Sequence, residues 1–307
     1  MVFSQALLGA IASSGVAVAG AGYWAGGAST SAVIDKTAFS NDATAALSAT
    51  LSAGRRLLAG CANSGTAAYW GGGYISGAVD TIDKTTFSSE ANAAITPTLS
   101  VTRRQLGSCA NSGTAAYWAG GETGAGDTDA IDKTAFSNDA TAAITPTLSS
   151  TRNSFAGCAN SGTAGYWGGG ESGGGVIATI DKTAFSNDAT AALSATLSAA
   201  RKSLAGCANS GTAGYWGGGT TGSSVDTIDK TAFSNDANAA ITPTLSAATK
   251  EFAGCAKSGT AGYWGGGNPA ADTIDKTTFS TDATAVITPT LSSARYALGG
   301  AADSGTL

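Results

Sequence analysis

The chain has 307 residues and a formal net charge of −5, with 44 glycines, no histidine and only 12% charged residues. So sparse and acidic a charge pattern excludes a nucleic-acid partner, which needs a basic face. The lack of histidine removes the usual general base of nucleophilic hydrolases, and the length suits one large domain or two ordinary ones.

The N-terminal stretch ALLGAIASSGVAVAGA, Ala6 to Ala21, is apolar. MVFSQ before it has neither Lys nor Arg, which a secretory leader needs. Ser13, Ser14 and Gly15 interrupt it, so no membrane span is expected. Residues 1–14 are read as an apolar extension and 15–307 as the folded domain.

From there the chain repeats itself. CANSGTAGYWGGG stands at Cys158 to Gly170 and again, unchanged, at Cys207 to Gly219. Near copies run from Cys61 to Gly73, Cys109 to Gly121 and Cys255 to Gly267. Trp24, Trp70, Trp118, Trp167, Trp216 and Trp264 are spaced 46 to 49 residues apart, as are Phe39, Phe87, Phe136, Phe185, Phe233 and Phe279. Six units of this period mean supersecondary elements that bury their faces only against each other.

Within a unit the elements follow in a fixed order. RKSLAGCA, Arg201 to Ala208, reads as a first strand, and NSG as a turn. TAGYWGG, Thr212 to Gly218, is a second strand, and DTIDKTAF, Asp226 to Phe233, a third after a variable loop. SND marks another turn, and Ala237 to Thr244 a fourth strand. Tyr215 and Trp216 are adjacent and so point to opposite sides, as do Ile228 and Phe233. Each four-stranded sheet is therefore apolar on both faces, and a closed ring buries all of them.

The order R, LAGCA, YWGGG, IDK resembles the kelch repeat, in which a basic residue begins the innermost strand and an apolar–aromatic pair precedes a double glycine. The doublets here are Gly26–Gly27, Gly72–Gly73, Gly120–Gly121, Gly169–Gly170, Gly218–Gly219 and Gly266–Gly267. The resemblance covers nearly the whole chain and implies a six-bladed, kelch-like β-propeller with four antiparallel strands per blade. It departs from kelch in lacking a late Trp; its Trp lies in the second strand. The repeat wording is also similar to repeats of phage and cyanophage virion proteins.

The first-strand pattern occurs a seventh time. Arg295 to Thr306 keeps the Arg, whereas Gln5 to Gly15 is a degraded copy. The C-terminal copy is expected to complete the first blade, so that strands from both termini close the ring. The alternative places the N-terminal copy there.

Chemistry is sparse. Cys61, Cys109, Cys158, Cys207 and Cys255 share one register; equivalent strands around an axis are roughly 8 Å or more apart, beyond the disulfide limit of about 7 Å. They read as free, buried apolar residues, not metal ligands. The Asp of each IDK, such as Asp229, reads as a solvated or lightly paired surface charge. The Asp of each SND turn, such as Asp188, reads as a local backbone acceptor, with calcium there left open. The GGG runs lack the lysine and helix of a phosphate loop. The six Trp read as packing between blades, with sugar stacking as the alternative. No unit carries a residue set that marks it as an active site.

What varies is the loop between second and third strands, six residues in the first and last units and eight or nine elsewhere. Tyr74, Glu122, Asp127, Asp129, Glu171 and Asn268 are its candidate contacts. The expectation is a non-catalytic structural or attachment module with no cofactor, on a virion or outside the cell. Its partners would be a protein, other copies of itself or a host-surface glycan. The alternatives are a lectin-like propeller and a kelch-type adaptor.

Overall fold

The computed structural model describes residues 20–304. The expected extension 1–14 and the Gln5 to Gly15 copy lie outside the described residues. Six four-stranded antiparallel sheets stand around one axis as the blades of a β-propeller, and no helix occurs among the described residues. In blade five the strands run outward as Ala205–Asn209, Ala213–Gly217, Ile228–Ala232 and Asn238–Ala240. In blade one the innermost strand is Gly299–Ala302, paired with Ala21–Ala25 in the register Gly22↔Ala302 to Ala25↔Gly299.

The outer strands differ from expectation in four blades. Where the sequence reads ITPT they stop after three residues, as at Asn238–Ala240, rather than reaching Thr244. Pro97, Pro146, Pro243 and Pro289 have no N–H for the ladder. Where the sequence reads LSAT instead, the outer strands Thr44–Thr50 and Thr190–Thr196 run seven residues.

Between blades the packing is apolar on both sides, as the adjacent Tyr and Trp require. Tyr215 stacks on Phe279 of the next blade at 5.0 Å, and Trp264 of that blade packs back onto Gly217. All six Trp are at most 2% exposed, and each Nε1–H donates to a Thr hydroxyl on the neighbouring strand, as Trp216 does to Thr231 at 2.8 Å. The Trp residues are thus core rather than sugar platforms. The five cysteines are free and buried; desolvation pushes their thiols well above the ordinary range. The Sγ atoms of Cys109, Cys158, Cys207 and Cys255 lie against the Gly before the Tyr of the following blade: Gly165, Gly214, Gly262 and Gly22.

The axis is stitched at both ends. Near one face Leu57, Gln105, Ser154, Ser203, Glu251 and Ala297 each donate a backbone N–H to the carbonyl of the preceding blade's residue, at 2.6 to 2.9 Å, closing a circle of six bonds. All six have φ between 55° and 58°, a left-handed conformation that costs of order 1–3 kcal/mol each and persists because the circle fixes it. At the other face the NSG turns carry a second chain of bonds. The N–H groups of Ser64, Ser112, Ser161 and Ser210 donate to the hydroxyl of the next blade's Ser at 3.0 to 3.1 Å. Between these, the cavities along the axis measure only 80 Å³ each. The glycine doublets let strand and hub approach: at Gly169, with φ 70°, an added Cβ would lie 2.6 Å from the Arg201 carbonyl.

Candidate functional site

The variable loops emerge on the face where each inner strand begins. The first residue after the glycine doublet bridges the residue that follows the start of the inner strand, Arg in four of these blades and Thr249 in the last: Arg56↔Tyr74, Arg104↔Glu122, Asn153↔Glu171, Lys202↔Thr220 and Lys250↔Asn268. Tyr74, Glu122, Glu171 and Asn268 therefore hold equivalent places in one circle around the axis. Tyr74 lies under two guanidinium groups, Arg56 at 5.2 Å and Arg104 at 4.9 Å from its ring centre. Glu122 makes a two-point ion pair with Arg104, at 2.7 and 3.0 Å, and Glu171 pairs with Lys202. Asn268 donates to Glu251 at 3.1 Å, and Asp127 accepts from Asn153 of the next blade at 2.8 Å. Asp129 is not part of this circle. It stands further along the same loop, and its carbonyl accepts from Leu148 N–H.

The repeated charges are not surface groups, and the structure corrects the sequence reading here. Asp35, Asp83, Asp132, Asp181 and Asp229 are completely buried and paired with Arg295, Arg55, Arg103, Arg152 and Arg201 respectively. Each Arg also donates to the carbonyl of the blade's Trp, as Arg201 does to Trp216 at 2.9 Å. Three of them reach the carbonyl just before the third strand's Ile as well: Arg103 to Ala130, Arg152 to Thr179 and Arg295 to Val33. Burial lowers the pKa of each guanidinium, and the facing carboxylate opposes that shift.

The turn aspartates act across blades rather than locally. Asp282 of blade six accepts from the Tyr215 hydroxyl at 2.7 Å and from Lys230 at 2.8 and 3.0 Å, both in blade five. The same Tyr–Lys–Asp clasp joins four further interfaces, through Asp42, Asp139, Asp188 and Asp236. At the sixth, Glu90 takes the Asp position and pairs with Lys36 at 2.5 Å. The local backbone acceptor in the turn is instead Asn, as Asn187 accepts from Ala189 N–H at 3.1 Å. No group of three or more potential metal ligands occurs among the described residues.

Blade six breaks the pattern of buried pairs. Thr249 stands where the other blades have Arg, so Asp275, only 6% exposed, has no ion-pair partner among the described residues. Its Oδ2 accepts from Ser246 N–H at 3.2 Å and Oγ–H at 3.0 Å, while Oδ1, like that of Asp35, Asp132 and Asp181, has no hydrogen-bond partner among the described residues. Desolvation raises its pKa, against the two Ser246 bonds. A 280 Å³ cavity opens beside it, walled by Leu245, Phe252, Trp264 and Pro269. The sequence did carry this signal: position 249 is the one inner-strand start of the six without Arg.

No protein-family model matches the chain, and no curated protein matches it.

Proposed function

We propose that the chain is a non-catalytic scaffold, a stiff disc that presents its variable loops to a macromolecular partner. The observation that carries this reading is the division of labour between repeated and varied residues. Repeated polar residues are spent on ties within and between blades, while Tyr74, Glu122, Glu171 and Asn268 vary at equivalent places on one face. Such a face, built on a closed hub, changes its chemistry without disturbing the core. No helix among the described residues is long and apolar enough to cross a membrane.

The partner is a protein or further copies of the chain within an assembly, and the setting on a virion or outside the cell rests on the wording of the repeats. Cross-linking mass spectrometry on the native assembly tests the reading. Cross-links gathered at residues 74–80, 122–130, 171–179 and 268–273 support it; cross-links confined to the outer strands or the NSG face overturn it. Turnover in a hydrolase screen would also end it. The lectin alternative predicts a glycan-array signal and several equal sites per chain.

A further inference from the structure

The sixth blade keeps the receptor for a guanidinium group but lacks the side chain that fills it elsewhere. We propose that the cavity beside Thr249 and Asp275 binds a guanidinium-bearing ligand from outside the fold.

The argument rests on what the five filled joints share. In each, a guanidinium is held by a buried Asp carboxylate and the carbonyl of the blade's Trp, and in three also by the carbonyl before the third strand. The corresponding groups in blade six are Asp275, Trp264 and Thr273, and all three residues line the cavity. A ring is present as well. In blade four Arg152 lies 5.0 Å from the centre of Phe155; Phe252, at the same place in blade six, is part of the cavity wall. A planar cation over an aromatic face gains electrostatic attraction that a neutral group does not.

Asp275 makes the site more than an empty space. As a residue it is 94% buried (6% exposed), with no cation paired to it among the described residues, a situation folded proteins rarely tolerate. The Ser246 bonds are not a replacement for the missing Arg, because Ser198 uses the same two donors on Asp229 in blade five, its N–H on Oδ1 and its Oγ–H on Oδ2, where Arg201 is also present. The cavity is reached from solvent: Ser246, Ala247, Ala248, Pro269 and Ala270 on its rim are exposed. Its 280 Å³ lies just below the ligand-pocket range of about 300–1,000 Å³, which suits one guanidinium head and a short stem. A planar fork that donates to a carboxylate and carbonyls in fixed directions favours guanidinium over ammonium.

The ligand is either a free alkylguanidine or the arginine side chain of a partner protein. Isothermal titration with methylguanidinium, run beside methylammonium and the neutral isostere urea, tests the site. Expected are one site per chain, at least about tenfold weaker binding of methylammonium, and no saturable binding of urea. Thr249→Arg fills the receptor from within and is expected to weaken methylguanidinium binding at least about tenfold; Asp275→Asn does the same by removing the anion. Binding unchanged in both variants, no saturation by the wild type at millimolar methylguanidinium, or equal binding of urea overturns the proposal. Should Thr249→Arg fail to fold by circular dichroism, Asp275→Asn alone decides. N-acetylarginine methylamide separates the sources. Binding as tight as methylguanidinium supports an arginine from a partner chain; binding of the small cation alone supports a free alkylguanidine.

Discussion

Blades five and six share almost every residue at the roots of their strands, yet one encloses a complete ion pair and the other half of one. In blade five Arg201 and Asp229 meet at 2.7 Å with both side chains at most 1% exposed. In blade six the same backbone cradle surrounds Asp275, and Thr249 supplies no charge. The comparison shows that the blade does not need the pair in order to form. Its fold comes from apolar packing on two faces, and the pair is an addition whose cost in desolvation is met only when both members are present.

The sharpest way to break the comparison is to delete a cation where one exists. Arg201→Ala is expected to cost about 3–5 kcal/mol in urea unfolding, because it strands Asp229 in the interior. Thr249→Ala is expected to stay within about 0.5 kcal/mol. Equal losses at the two sites would show that the buried pair carries no special weight. Supplying the missing cation is the next largest effect: Thr249→Arg is expected to raise stability by about 1.5–3 kcal/mol, the range for hydrogen bonds to charged groups, read as a shift of the urea midpoint at constant slope.

The same contrast has a pH signature. Burial raises the pKa of Asp275 above its unfolded value, so its charge opposes folding at neutral pH, and that penalty fades as pH falls through the raised pKa toward the unfolded one. Asp275→Asn is therefore expected to stabilise the protein at pH 7 by less than Thr249→Arg does, with the gain shrinking on acidification. Asp229→Asn is expected to destabilise at pH 7. Thermal melts of both variants from pH 7 to pH 3 check the two signs. Smallest of all is the clasp between blades. The Lys230 and Asp282 side chains are 30% and 23% exposed, so Lys230→Ala is expected to cost about 0.2–1 kcal/mol, and less in 1 M salt.

Particular residues show how far the sequence could be read. The Tyr215–Trp216 neighbours and the period of the Trp markers were enough for six blades, because a strand that is apolar on both sides has few other solutions. The loop circle of Tyr74, Glu122, Glu171 and Asn268 was legible because it is where the units differ. Asp229 was misread as a surface charge: its pairing depends on which way a strand faces at the blade root, and neighbouring residues do not reveal that. The NSG turn was recognised, but the bond from each turn to the next blade's Ser was not, since it exists only after the ring is wound. Thr249 was visible as a departure from Arg, and it acquired meaning only beside a cavity and an unpaired carboxylate.

The sequence by itself determined the repeat, the strand order within a blade and the need for both faces of every sheet to be covered. These follow from local periodicity and from turns of a few residues. Only the tertiary structure decided which charges meet. Arg103 and Asp132 are 29 residues apart in the chain, and Lys182 and Asp236 are 54 apart. Contacts at that distance are set by how blades curl around the axis, and the same curling set the Asp275 carboxylate beside Thr249 and a cavity rather than beside an arginine.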